Sequence, residues 1–106
     1  MTADTDRKRL GQYFTPTPVG RLLAVLADAK DAATVIDPMA GAGHLLAACL
    51  DVGARPSTLC GVEIDPVAAA AARTGLPDGS VLTRDAFTAA YPATPFQLVI
   101  TNPPYV

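Results

Sequence analysis

The segment with the clearest chemical character is Asn102-Pro103-Pro104-Tyr105, which directly follows the apolar run 96–101. Each proline fixes its own φ and holds the preceding residue in an extended conformation, so the backbone carbonyls point in set directions. An Asn side-chain oxygen beside such a carbonyl places two acceptors together, which is what both protons of a planar amino group require. The Tyr105 ring can stack on a planar substrate. The pattern predicts a site for an amino group, and a simple turn that ends a strand is the alternative.

A second group of residues joins Asp37, the turn Gly41-Ala42-Gly43 and Glu63. A glycine turn between a strand and a helix lets a ligand approach the backbone, and the helix N-terminus then offers free N–H groups. Glu63 follows Gly43 at the spacing typical of an acid that binds the ribose of a nucleoside. Leu46 stands where the dinucleotide fingerprint has its third glycine, so the pattern disfavours NAD. A turn that merely packs a helix on a strand is the alternative.

The elements that position these two groups alternate along the chain. Apolar periodicity and Gly or Pro boundaries predict helices at 19–30, 44–52 and 67–74 and strands at 33–37, 58–64, 80–83 and 96–101. The segment 86–95 is consistent with either a loop or a weak helix. In the first helix, Val19, Leu22, Leu23, Leu26 and Ala29 share one face. Alternation of strands and helices predicts an α/β fold with a parallel sheet and right-handed crossovers.

Composition excludes several classes of protein. The chain has 106 residues, of which 50% are hydrophobic and 17% charged, so it is not a disordered tail. The net charge of -2 shows no basic coat for nucleic acid, and no apolar run reaches the ~20 residues of a membrane span. The polar residues 1–9 indicate no signal peptide, and 1–10 are expected to form a flexible arm. Cys49 and Cys60 are expected to be reduced thiols of a cytoplasmic protein rather than a disulfide.

The segments described above resemble motifs of S-adenosylmethionine-dependent DNA adenine-N6 methyltransferases, specifically the group in which the cofactor motifs precede the catalytic motif. Such enzymes are the modification parts of restriction and phage-defence systems. The run Gly11–Pro16 is similar to the opening motif of that family, which lines the methionine end of the cofactor. The resemblance implies that role for four residues of the run: Tyr13, Phe14, Thr15 and Pro16.

The cofactor loop of the family, Asp-Pro-Ala-Cys-Gly-x-Gly, resembles 37–43, with Met39 and Ala40 at the two positions that differ. The resemblance implies that the loop binds the cofactor through Asp37, Pro38, Gly41 and Gly43.

Three further positions correspond to the nucleoside part of the cofactor. Glu63 matches the acid that binds the ribose, Ile64 would lie beside the adenine, and Asp85 matches the acid that accepts from the exocyclic amine. The family usually has an aromatic residue directly after that last acid. Here Ala86 follows, and Phe87 is the nearest candidate for the stacking role.

Asn102-Pro103-Pro104-Tyr105 matches the catalytic motif of the family in residue type. The resemblance implies that a flipped adenine donates its amine protons to the Asn102 side chain and the Pro103 carbonyl, while Tyr105 stacks on the base. The methyl group then moves directly to the nitrogen, without a covalent enzyme intermediate and without a metal ion.

The resemblance also implies the organisation of the molecule. A complete sheet of this family has seven strands, and this chain would supply four of them in the order 3-2-1-4, with flanking helices, as a partial Rossmann-like methyltransferase fold. Residues 1–106 would form the N-terminal portion of a single catalytic domain, without the remaining strands and the target recognition region. The expected partners are DNA and either a specificity or restriction subunit or the missing C-terminal region. No membrane partner is expected, and the chain by itself is expected to be inactive.

Three other functions fit the same residues. Methyltransferases that act on glutamine side chains of proteins also use Asn-Pro-Pro-Tyr, because the glutamine amide is likewise a planar amino group. The Gly11–Pro16 opening favours adenine instead, and adenine in RNA is compatible with the same chemistry. A truncated cofactor-binding protein without turnover is the alternative from a different class.

Overall fold

The computed structural model describes residues 15–103. The interpretations of the arm 1–10 and of four site residues fall outside this range and stay predictions: Tyr13, Phe14, Pro104 and Tyr105. The described chain forms three helices and four strands in the order α1 (Thr17–Leu26), β1 (Val35–Asp37), α2 (His44–Asp51), β2 (Leu59–Glu63), α3 (Pro66–Gly75), β3 (Val81–Thr83) and β4 (Leu98–Val99). Short 3-10 turns occupy Ala29–Asp31 and Pro56–Thr58.

The four strands form one parallel sheet in the order β3-β2-β1-β4. Val35 of β1 pairs with Leu59 on one side and with Leu98 on the other. This architecture confirms the predicted partial Rossmann-like fold. Because all strands run in one direction, their carboxyl ends meet at a single edge of the sheet, where ligands bind in such folds. The segment 86–95 contains no helix or strand beyond a turn.

The predicted strands are each longer than the observed ones, most clearly at β4. The apolar run 96–101 keeps only Leu98–Val99 as strand, although Ile100 N–H still donates to the Ile36 carbonyl at 3.0 Å. Pro95 and Pro103 lack the N–H that a longer ladder would need. β4 is therefore a short edge strand that carries Asn102 just beyond its end.

The first helix buries a different face from its large apolar stripe. It ends at Leu26 rather than at 30, and Ala29 lies in the following 3-10 turn. Its buried residues are Gly20 and Ala24, and a Cβ on Gly20 would lie only 3.2 Å from the Ala48 Cβ of α2. The large residues of the stripe are exposed: Val19, Leu22, Leu23 and Leu26. Small side chains let α1 and α2 approach closely. This close packing determines which face of α1 is buried.

The core is built from alanine and a few larger side chains between the helices and one face of the sheet. Its larger members are Val35, Leu45, Leu46, Leu59, Leu76, Val81 and Ile100. Cys49 is buried in this core and Cys60 is partly buried, and both thiols are free, as expected. Burial raises the pKa of the Cys49 thiol to about 11. No helix within residues 15–103 is long and apolar enough to cross a membrane.

Candidate active site

Two buried carboxylates end the neighbouring strands β1 and β2. Asp37 is 1% exposed and Glu63 is 6% exposed. Glu63 Oε1 accepts from the Gly41 N–H at 2.7 Å, and Oε2 accepts from the Asp65 N–H at 2.8 Å. Glu63 thereby holds both the glycine turn and the start of α3. A carboxylate offers about four acceptor positions, so two of them are still available after these bonds.

The two glycines of the turn have different physical roles. Both adopt positive φ, +56° at Gly41 and +87° at Gly43. Residues other than glycine adopt such angles only at a cost in conformational energy. A Cβ on Gly43 would lie 3.0 Å from Leu76 Cδ1 and 3.1 Å from Ala72 Cβ, so Gly43 allows α3 to pack against the turn. Within residues 15–103, a Cβ on Gly41 would have no atom within 4 Å apart from its own chain neighbours, so in the described structure the Gly41 backbone borders open space.

Asp37 organises the start of the same turn. Its Oδ1 accepts from the Met39 N–H at 3.1 Å. The pKa of Asp37 is raised from 3.8 to about 6, chiefly by burial and to a smaller extent by the nearby Glu63 carboxylate, while the Thr101 hydroxyl and the Met39 N–H act in the opposite direction. Thr101 Oγ1 lies near this carboxyl but makes no hydrogen bond of normal geometry within residues 15–103, although it is buried. The pKa of Asp37 is thus well above that of an ordinary aspartate because the carboxyl is buried.

Ile64, Asp85 and Phe87 follow the carboxyl ends of β2 and β3. The Arg84 N–H donates to the Glu63 carbonyl at 3.1 Å, which continues the ladder between these strands and places Asp85 beside the end of β2. Asp85 Oδ1 accepts from the Phe87 N–H at 2.9 Å in a tight turn. Ile64 is 64% exposed and Phe87 is 86% exposed. This edge of the sheet therefore presents the apolar side chains of Ile64 and Phe87 next to the acids Glu63 and Asp85.

Asn102 lies beyond the end of β4, on the far side of β1 from Glu63. Its Nδ2 donates to Thr15 Oγ1 at 3.3 Å, across 87 residues of sequence. Thr15 is 9% exposed, whereas Asn102, Pro103 and Pro16 are exposed. The structure therefore brings the described part of the opening motif into contact with the described part of the Asn-Pro-Pro-Tyr motif.

The predicted residues form two groups at one edge of the sheet. The first joins Asp37, Pro38, Gly41 and Glu63 at the ends of β1 and β2, and the second joins Thr15 and Asn102 beside β4. Gly43 packs behind the first group rather than facing the open space. Sequence reasoning missed Thr101, whose position next to Asn102 was the only signal, and the backbone role of Asp65. Residues 15–103 hold no group of three or more His, Cys, Asp or Glu suited to a metal ion.

The chain is similar to a known protein family and to a viral methyltransferase. The profile of the family described as N-6 DNA Methylase matches residues 1–106. A Type II methyltransferase, M.CvrRI of Paramecium bursaria Chlorella virus XZ-6E, is 30% identical over 100 residues. That alignment covers 94% of this chain and 26% of the viral protein, so the chain spans about a quarter of that relative's length.

Proposed function

The chain belongs to the N-6 DNA methylase family, and from this premise we propose that it provides the cofactor site and the catalytic motif for methyl transfer from S-adenosylmethionine to N6 of adenine in DNA. In this proposal residues 1–106 are the N-terminal portion of one catalytic domain. The observation that carries it is the placement of Glu63 and Asn102 at the same edge of one parallel sheet. Glu63 ends β2 and Asn102 follows β4, and these strands flank β1 on opposite sides, so the strands are two strand spacings apart, about 10 Å.

The residues of the first group fit S-adenosylmethionine. The two unused acceptor positions of Glu63 equal the number of hydroxyl donors of a ribose diol. The open space at Gly41 leaves room for a ligand against the backbone, and exposed Ile64 offers an apolar contact for a base. Asp85 and Phe87 lie at the same edge for the adenine amine and ring. When bound, the cofactor supplies an electrophilic methyl group on a positively charged sulfonium.

The residues of the second group fit a planar amino group as the methyl acceptor. Asn102 Oδ1 and the Pro103 carbonyl would accept hydrogen bonds from the two N–H groups of the amine, which draws the nitrogen lone pair out of conjugation with the ring. Because the Asn102 Nδ2 is bonded to Thr15, its Oδ1 is left for this task. Positioning and local electrostatics then account for the catalysis, and Tyr105 would stack on the base in the role that the motif implies.

The match to the N-6 DNA Methylase family, together with the similarity to a viral Type II methyltransferase, supports DNA as the substrate here. We also propose that the chain acts together with a specificity or restriction subunit, or with a C-terminal region of the same enzyme. Because the chain spans about a quarter of that relative, we expect the 106-residue chain to bind the cofactor without turnover.

The test uses the complete product of the gene, methyl-labelled S-adenosylmethionine and duplex DNA, with digestion to nucleosides and mass spectrometry. We expect the label in N6-methyladenine. Label in cytosine alone, in RNA alone or in glutamine of an added protein would overturn the proposal. Calorimetry on the 106-residue chain separately measures cofactor binding. Failure to bind would contradict the assignment of the first group.

A further inference from the structure

The contact between Thr15 and Asn102 concerns the side chain on which the proposed reaction depends most. Asn102 is exposed and follows an edge strand of two residues, so its own strand does little to restrain its amide. Thr15 Oγ1, which accepts from Asn102 Nδ2 at 3.3 Å, belongs to a residue that is almost fully buried. The restraint on the exposed amide therefore comes from the other end of the chain.

The orientation of this amide decides its chemistry. One end of an Asn side chain is an acceptor and the other is a double donor. With Nδ2 turned toward Thr15, Oδ1 is the end available to an amino group. If the amide were reversed, its own –NH2 would face the substrate –NH2, and two donors would oppose each other. The contact with Thr15 Oγ1 therefore restrains the amide with Nδ2 toward Thr15 and leaves Oδ1 as the free end of the side chain.

Thr15 is itself held by the first helix. Its Cγ2 lies 3.6 Å from the position that a Cβ on Gly20 would occupy, so the Thr15 methyl packs against the start of α1. The Gly20 N–H donates to the Pro16 carbonyl at 2.9 Å, which fixes the turn between Thr15 and the helix. Gly20 in turn packs closely on Ala48 of α2. A continuous set of contacts thus runs from the core through α1 to the Asn102 amide.

We propose that Thr15 is a positioning residue that orients the Asn102 amide for the amino group of the substrate. The inference rests on the proposed function and deepens it, since the resemblance assigns Thr15 to the methionine end of the cofactor. The two roles predict different effects of losing the hydroxyl. A positioning role lowers kcat and leaves cofactor affinity unchanged, whereas a cofactor-binding role lowers cofactor affinity.

The test compares three variants of the complete enzyme. Thr15→Val replaces the hydroxyl with a methyl group and keeps the packing against α1. Thr15→Ser keeps the hydroxyl and removes the methyl group. Thr17→Val makes the same chemical change at an exposed threonine on the first turn of α1. We expect Thr15→Val to lower kcat about 3- to 10-fold, the effect of one hydrogen bond, while Kd for the cofactor stays within about twofold. Thr15→Ser should recover most of kcat, and Thr17→Val should match the wild type.

A spectroscopic measurement on the ¹⁵N-labelled 106-residue chain reads the contact without turnover. Thr15→Val should shift the Asn102 side-chain amide resonances and speed their hydrogen exchange, and Thr17→Val should leave both unchanged. If the wild-type enzyme fails to methylate adenine, the proposed function falls while the contact is still measurable. If the wild type methylates adenine and Thr15→Val matches it in kcat, or lowers cofactor affinity as much as kcat, the positioning role is overturned.

Discussion

The two halves of the candidate site are built in contrasting ways. At the ends of β1 and β2, Asp37 and Glu63 are buried and their oxygens accept backbone N–H groups of the adjoining loops. At the end of β4, Asn102 is exposed, follows a strand of two residues and is bonded to the side chain of Thr15. The first half is part of the folded core, whereas among the residues that the structure describes the second half is joined to the core by the short β4 ladder and by the Thr15 side chain.

The contrast indicates where function and stability are coupled. A change in the first half alters hydrogen bonds that hold the fold together, so we expect it to affect both ligand affinity and the free energy of unfolding. A change in the second half removes few buried contacts, so we expect it to affect methyl transfer with little effect on stability. The predictions below test that separation.

The largest effect is expected from Asn102→Ala. Loss of a positioned polar group at the reacting atom lowers kcat by roughly 100- to 1000-fold. Cofactor affinity by calorimetry and the midpoint of urea unfolding should both stay close to wild type, because the side chain is exposed. Activity within about twofold of wild type would remove the role assigned to the Asn-Pro-Pro-Tyr motif.

The next effect concerns the pH dependence of stability, through Asp37. Below pH 3.8 the carboxyl is protonated in both the folded and the unfolded states. Between 3.8 and about 6 the unfolded state loses the proton while the folded state keeps it, so the free energy of unfolding falls as pH rises. Above about pH 6 the carboxyl is ionised in both states, and the free energy of unfolding is then about 3 kcal/mol lower than at pH values below 3.8.

Asp37→Asn cannot ionise, so it should lack this decline and be more stable than the wild type at pH 7. Urea denaturation of both proteins at pH 4, 5, 6 and 7 measures the effect. Carboxylates that lie far from Asp37 contribute equally to the stability of both proteins and cancel in the difference. A difference between the proteins that stays constant over this range would show that burial does not perturb Asp37.

The two glycines of the turn separate packing from ligand access. Gly43→Ala places a methyl group against Leu76 and Ala72 at positive φ, and overpacking with strain should cost about 2–3 kcal/mol of stability. Gly41→Ala has the strain alone, about 1 kcal/mol, but points a methyl group into the open space. Chemical denaturation and cofactor titration together check both variants. If Gly41→Ala binds the cofactor like wild type, the ligand does not approach that part of the turn.

The smallest effect is expected for cofactor affinity in Glu63→Gln. The amide keeps the size of the side chain but turns an –NH2 toward either the Gly41 or the Asp65 N–H, and it retains one acceptor oxygen. We expect about tenfold weaker cofactor binding, together with a loss of roughly 1–3 kcal/mol of stability. Unchanged affinity by calorimetry would exclude Glu63 as the ribose acceptor. Weaker binding without any loss of stability would contradict the proposed coupling in this half.

Much of this architecture could be predicted from local patterns. The alternation of apolar strands with helices indicated a parallel sheet, and the family resemblance supplied the strand order β3-β2-β1-β4 that the structure shows. The positions of Asp37 and Glu63 at strand ends followed from the apolar runs that precede them. These features were accessible because each depends on residues close together in sequence, whose periodicity reflects the backbone geometry.

Other features were not accessible in the same way. The stripe of Val19, Leu22, Leu23 and Leu26 correctly indicated a helix but not its buried face, because the fit of Gly20 against Ala48 is set by another helix. The different roles of Gly41 and Gly43 likewise depend on α3, which supplies Ala72 and Leu76. A periodic pattern reports that a face is apolar, and it does not report which neighbour packs best against it.

By itself the sequence determined the elements, the order of the motifs along the chain and the residue types available for chemistry. Only the tertiary structure decided that Glu63 is held by two backbone N–H groups, that Asp37 is buried enough for its pKa to rise to about 6, and that Thr15 meets Asn102 across 87 residues. The physical reason is that burial and hydrogen bonding between distant segments depend on the packed arrangement of the whole sheet and its helices. Local propensity acts only over neighbouring residues and carries no information on those contacts.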